Sequence, residues 1–225
     1  MFDFKKEVDH IGGWLTEDEG LFLHETAKRV NQENAIVEIG SWKGRSTVCL
    51  GRGSQDGSHA SVYAIDHHRG SSKHQKMFRS IDTFDEFKSN IRNAMIDDYI
   101  VAVRETSEHA ARTFDKPVQF LFVDGEHEFK SVNADITSWL SKVIAGGVIA
   151  FHDSWHFVGP NIATALLLLT SRNIRNPRLI DTTTIVGKVE HNTIADRLKN
   201  ACFLVARMFS GSKGFRKLKA QGINR

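Results

Sequence analysis

With only two cysteines in 225 residues, the chain has no disulfide framework and no thiolate metal centre. Cys49 and Cys202 fall within segments of helical patterning, lack metal-ligand spacing and read as small core residues. No run approaches the roughly 18 consecutive apolar residues of a membrane span. The opening MFDFKKEVDH lacks the apolar centre of a secretory leader, so the expected compartment is the cytoplasm. Repeats and low-complexity tracts are absent, and 225 residues with 40% hydrophobic content can bury one full core, so a single domain over 1–225 is expected. Neither sign of charge dominates: 30 Lys and Arg stand against 27 Asp and Glu, interspersed over most of the length. That balance argues against a dedicated nucleic-acid binder.

Periodic hydrophobicity organises what is present. Thr16 followed by Glu19 has the form of a capping box, and Leu15, Phe22, Thr26 and Val30 then share one helical face, giving an N-terminal helical cap over 1–32. A core over 33–155 holds five short apolar runs at Ala35–Ile39, Ser61–Ile65, Tyr99–Val103, Val118–Val123 and Gly147–Phe151, mostly separated by helix-period segments. Continuous rather than alternating runs suit strands covered on both faces, as in a parallel sheet built from βαβ units. Val132, Ile136, Trp139, Leu140 and Val143 form the inner face of a crossover helix over Ser131–Val143, with Gly146 and Gly147 as its stop. A closing unit over 156–190 follows: a loop through Pro160, a helix over about Ile162–Ser171, and a strand pair near Arg178–Thr182 and Thr184–Val189. Leu198, Cys202, Val205 and Phe209 give a last helix its apolar stripe, and 191–225 carries eight Lys or Arg against one Asp. Such a segment suits a solvated basic face, or weak peripheral contact with anionic lipid.

The most informative stretch is Val37-Glu38-Ile39-Gly40-Ser41-Trp42-Lys43-Gly44-Arg45-Ser46-Thr47, which joins the first strand to a helix. Gly40 and Gly44 have the place and spacing of a glycine loop that lets a ligand lie against bare backbone at a helix N-terminus, though tight packing alone would also use them. Asp66 ends the second run, where open α/β sheets bind ribose hydroxyls. The missing third glycine of GxGxxG points away from a nicotinamide dinucleotide. At the ends of the fourth and fifth strands stand Asp124, His127, His152 and Asp153, with His156 nearby. Carboxylates converging from adjacent strand tips suit Mg²⁺ or another divalent ion, and an imidazole there can take a proton. Trp14, Trp42 and Trp155 are candidates to line a pocket, and the polar segment from His67, His68 and Arg69 to about Ser80 is a candidate lid or acceptor loop.

Four ordered segments, Val37-Glu38-Ile39-Gly40, Ala64-Ile65-Asp66, Phe122-Val123-Asp124-Gly125-Glu126-His127 and Gly146-Gly147-Val148-Ile149-Ala150-Phe151-His152-Asp153, resemble class I S-adenosylmethionine-dependent methyltransferases. They are most similar to the family-24 branch that includes the macrocin and macrolide-sugar O-methyltransferases. The resemblance runs from about residue 12 to 155. It implies a Rossmann-like fold with a seven-stranded, mostly parallel sheet and helices on both faces. It implies O-methylation of a sugar or other small hydroxylated acceptor, and leaves a homodimer open. By it, Glu38, Gly40, Ser41, Gly44, Ser46, Asp66, Ser107 and Asp124 hold S-adenosylmethionine. Asp124, His152 and Asp153 hold a divalent metal, and His127 is the base. One departure stands out, because His152 occupies a position where the sugar enzymes have a carboxylate. Two other readings stay open at this point: a metal-dependent hydrolase or oxygenase using His127, His152 and Asp153, and a cofactor-binding module without catalysis.

Overall fold

The structure is a computed structural model and describes residues 2–70 and 81–209. Its framework is a seven-stranded sheet made of β1 (Ala35–Ile39), β2 (Val62–Ile65), β3 (Ile100–Val103), β4 (Val118–Val123), β5 (Val143–Phe151), β6 (Ile174–Ile180) and β7 (Thr183–Lys188). The strands lie in the order β3-β2-β1-β4-β5-β7-β6, with the first five parallel and β7 antiparallel to both β5 and β6. Every residue of β1 is buried, as expected of a strand covered on both faces.

Helices cover the two faces in separate sets. On one side α1 (Phe4–Glu7), α2 (Glu17–Ala27), α3 (Arg45–Gly53) and α4 (Phe84–Asn93) pack on Ile36, Phe120, Phe122 and Ala150. On the other, α5 (Ser107–Thr113), α6 (Phe129–Trp139), α7 (Val158–Thr170) and α8 (Ile194–Phe209) cover Val37, Leu121, Ile149 and Val186. Alternation along each strand divides these residues between two cores. Among the described residues no helix is long and apolar enough to cross a membrane.

The capping box forms as expected: Glu19 N donates to Thr16 Oγ1 at 3.2 Å, and Thr16 N donates to Glu19 Oε2 at 3.0 Å. Of the expected face, Leu15 and Val30 are buried on either side of α2 and Phe22 packs on the same core, while the buried residues within the helix are Glu19, Gly20, Leu23, His24 and Ala27, where Gly20 lets Phe4 lie close against the backbone. The crossover helix is shorter than its periodicity suggests. It ends at Trp139, and Val143 already belongs to β5, paired with Val118 and buried. Gly146 (φ +87°) lies inside that strand, where the register shifts, and does not cap a helix. Helix α7 starts at Val158, so Pro160 sits in its first turn, where a missing N–H leaves no helical bond unmade. Strand β6 tolerates Pro177 because it is the sheet edge.

The last helix differs more. Its stripe faces outward, with Leu198 62% and Val205 55% exposed, and Cys202 is exposed rather than in the core. Instead Phe203 and Leu204 pack on the core, and buried Asn200 donates to Leu168 O of α7 and Ile174 O of β6. Cys49 is buried, as expected. The segment 71–80 and the tail 210–225 lie outside the described residues.

Candidate active site

Parallel strands deliver their C-terminal ends to one edge, and there a pocket of about 380 Å³ opens. Gly40, Ser41, Ser46, Asp66, Ser107, Asp124, His127, His152 and Asp153 all line it, as do Trp14 and Trp42. Trp155 is not among its lining residues and instead meets the Arg207 guanidinium, 4.8 Å from its ring centroid.

The loop after β1 is shaped by its glycines. Gly40 has φ +88°, and a Cβ there would stand 2.2 Å from the Asp124 carbonyl oxygen, so only glycine lets β1 and β4 converge. Gly44 has φ +92° at the N-cap of α3 and packs toward Phe87 and Ile91, away from the pocket. Trp42 N donates to Asp66 Oδ2 at 2.7 Å and His68 N to Asp66 Oδ1 at 2.6 Å, so Asp66 ties the tips of β1 and β2 together while facing the cavity. His68 is not part of an open polar loop. It is buried with its Nδ1 3.0 Å from Thr83 Oγ1, its ring lies against Phe84 and Phe87, and burial lowers its pKa.

Glu38 does not line the pocket. It is fully buried beneath the loop, accepting from Ser46 Oγ and Thr47 Oγ1, each at 2.5 Å. It therefore shapes the start of α3 instead of meeting a ligand. Burial, against the lowering effect of those hydroxyls, pushes its carboxyl up to about 7 from an ordinary 4.5. Between those values the folded chain holds a proton that the unfolded chain has lost, so stability falls as pH rises through this window. From this group alone the loss approaches about 3 kcal/mol. Urea unfolding at about pH 5 and pH 8 should show this decline, and Glu38→Gln should reduce it. A wild-type decline that persists undiminished in Glu38→Gln would assign it to other groups.

At the other end of the pocket Ser107 accepts a hydrogen bond from Trp139 Nε1 at 2.8 Å, while Thr106, not Ser107, caps α5. Asp135 lies beside it on α6, lining the cavity, and burial pushes its carboxyl up to about 6. Asp135 was legible as an acid within the apolar face of Val132, Ile136 and Trp139.

The β4 and β5 tips carry the reactive cluster. Asp124 N donates to Ile39 O at 2.8 Å and His152 N to Val123 O at 3.0 Å, which fixes both backbones. His152 Nδ1 stands 2.9 Å from Asp124 Oδ1 and 3.6 Å from Asp153 Oδ2, and its Nε2 stands 3.4 Å from Glu19 Oε2. Burial opposes a charged ring, but these three carboxylates raise the His152 pKa well above its ordinary value. Burial raises Asp124, against the pull of the same ring. His127, 37% exposed, lays its ring on Phe157 with centroids 4.1 Å apart and turns Nε2 to within 3.1 Å of Asp153 Oδ2. Asp153 holds φ +54°, a conformation rare for a non-glycine residue, which turns its side chain into this cluster. His156 does not line the cavity.

Two residues outside the expected set hold the site in place. Glu19 is buried and accepts from Thr182 N at 2.9 Å, Thr182 Oγ1 at 2.7 Å and Thr183 Oγ1 at 3.0 Å, as well as facing His152. Burial opposes its ionisation, yet His152 and these donors bring it down to about 2. Arg45 donates from Nη1 to Ile11 O at 2.7 Å and from Nη2 to Asp9 Oδ1 at 2.7 Å, clamping the segment that carries Trp14 to the pocket.

Asp124, His152 and Asp153 each offer one ligand atom, all within 4.8 Å of one another. Nδ1 between two carboxylate oxygens requires positive charge at their meeting point, supplied by a proton or by a divalent cation. With Nε2 turned to Glu19, the ring presents Nδ1 to that point in the manner of a metal ligand oriented by an outer carboxylate. The donor set therefore fits a small divalent ion.

A family-24 methyltransferase domain profile matches residues 37–154, from within β1 to just past β5. The fold is shared with the O-methyltransferase NovP, at 16% identity over 77% of this chain and 80% of that one, with a TM-score of 0.63. It is also shared with TomG from Streptomyces achromogenes, an O-methyltransferase of tomaymycin synthesis solved with S-adenosylmethionine, at 16% identity over 83% and 86%, TM-score 0.60. An O-methyltransferase from Bacillus cereus, solved with S-adenosylhomocysteine, matches at 20% identity over 79% and 83%, TM-score 0.59. The strand order, the glycine loop after β1 and the profile spanning the core agree, and the chain belongs to the family-24 methyltransferase domain family, of class I.

Proposed function

We propose that this methyltransferase moves the methyl group of S-adenosylmethionine onto a hydroxyl of a sugar or another small hydroxylated acceptor. The observation that carries this reading is the His127–Asp153 pair at the rim of the pocket that also holds Gly40, Ser41 and Asp66. O-methyl transfer by similarly folded NovP, TomG and the Bacillus cereus protein supports it. In this reading Asp66 takes the ribose hydroxyls, the loop at Gly40 and Ser41 passes the methionine end, and Ser107, with Asp135 beside it, meets the adenine; their lining of one pocket supports it.

The Asp153 carboxylate, 3.1 Å from Nε2 of His127, favours by its charge the tautomer protonated on that nitrogen, which would leave the Nδ1 lone pair to act as the base. As the acceptor oxygen attacks the sulfonium methyl, His127 takes the hydroxyl proton. An O–C bond forms, the S–C bond breaks, and neutral S-adenosylhomocysteine is left. Asp124, His152 and Asp153 would hold a divalent cation, which when bound favours the acceptor alkoxide. The reading is of a cytoplasmic enzyme, consistent with its unpaired thiols, and leaves open whether it acts as a homodimer.

The direct test is transfer of isotope-labelled methyl from S-adenosylmethionine to a panel of sugars and catechols, before and after chelation of divalent metals. Label on an acceptor oxygen is expected, with a rate that falls on chelation and returns with Mg²⁺ or Mn²⁺. Label only on amines would overturn the hydroxyl acceptor. Unchanged turnover after chelation would assign the positive charge to the His152 ring.

A further inference from the structure

Helices α5, α6, α7 and α8 lie on the same face of the sheet, and the outward side of the last two is apolar. On α7, Val158, Ile162, Leu166 and Leu169 are 74%, 44%, 43% and 52% exposed, and the helix contains no charged residue. On α8, Ile194 is 81% exposed and Leu198 and Val205 repeat the pattern at helical spacing. Arg197 and Lys199 are exposed beside this stripe, and the acid of the same helix, Asp196, is turned inward to accept from Thr193 Oγ1. The sequence then continues past α8 with Lys213, Arg216, Lys217, Lys219 and Arg225 and no acid.

We infer that the α7–α8 face docks on an anionic lipid surface, with the apolar stripes at the lipid boundary and Arg197 and Lys199 against the headgroups. An apolar stripe bordered by cations is the pattern of helices that lie in a membrane interface. Charge decides against a second copy of the chain as the occupant. A twofold contact sets a surface against itself, which would bring Arg197 and Lys199 of two copies together with no exposed acid on α7 or α8 to offset them. The face also reaches the active site, since Val158 follows Phe157, whose ring covers His127.

Co-sedimentation of the full chain with vesicles of phosphatidylcholine, with or without phosphatidylglycerol, tests this. Binding is expected only to the mixed vesicles and is expected to fall steeply with added salt. Leu166→Asp with Leu198→Asp should weaken it at least about tenfold. Changing Arg197 and Lys199 to Gln should weaken it about fivefold per charge. Both variants alter exposed positions, and circular dichroism verifies that they fold. Equal recovery with neutral and anionic vesicles, or none with either, would overturn the inference. So would a dimer in light scattering that the two aspartates dissociate, which would give the face to a second copy.

Discussion

Replacing His127 with alanine is expected to lower kcat by roughly 10²–10⁴-fold, the usual worth of a positioned general base. The ring stands at the pocket rim, stacked on Phe157, with Nε2 3.1 Å from Asp153 Oδ2. Because the loss falls on the chemical step, affinity for S-adenosylmethionine should change by no more than about threefold. Asp153→Asn should lose part of the same rate, since the amide no longer stabilises by charge the imidazolium that forms 3.1 Å away. Steady-state kinetics on the best acceptor, paired with a cofactor titration, separates the two quantities. A kcat within a few-fold of wild type in His127→Ala would place the base elsewhere.

The second large effect is expected at Glu19, far from the site in sequence. Alanine there strips the acceptor from Thr16 N, Thr182 N and two threonine hydroxyls and removes one of the three carboxylates around His152. Breaking a buried, hydrogen-bonded ionic group by removing one partner costs about 3–5 kcal/mol. Urea denaturation should show a loss of that size. Glu19→Gln, which keeps an acceptor oxygen for the threonines, should recover part of it. A loss below about 1 kcal/mol, the scale of a helix cap, would mean that Glu19 serves only α2. If the alanine variant fails to fold, the glutamine variant still reports. Its stability should drop, and its kcat should fall more than its cofactor affinity, because His152 loses the charge that orients it.

The parallel core was legible because strands buried on both faces leave continuous apolar runs, and the motifs sit at their ends. The runs ending at Ile39, Ile65, Val103, Val123 and Phe151 are all strands, and they bring most of the expected residues to one cavity. The errors arise where local pattern and tertiary packing disagree. Val143 continues the α6 periodicity but pairs with Val118, so the sheet claims it. The apolar period of α8 suggests burial, yet its inward face is built from Phe203, Leu204, Asn200 and Arg207, off the stripe that the period picks out. Glu38 and Glu19 were both visible, one beside the glycine loop and one as a cap. Sequence spacing could not show that Glu38 lies beneath the loop, or that the second oxygen of Glu19 reaches Thr182 and Thr183 across more than 160 residues. Long-range polar contacts of that kind carry no local period, and only the fold brings their partners together.

The central claim is that the cavity at the strand tips takes an adenosyl sulfonium, held in part by Asp66. Calorimetric titration of the full chain with S-adenosylmethionine, S-adenosylhomocysteine and NADH, for wild type and Asp66→Ala, tests it most directly. Micromolar binding of both adenosyl ligands, weakened at least about tenfold in the variant and absent for NADH, is the predicted result, since Asp66 anchors the Trp42 turn and, in the proposed reading, takes the ribose hydroxyls. A folded wild-type protein that binds neither adenosyl ligand, or binds NADH as well as it binds them, would contradict the account.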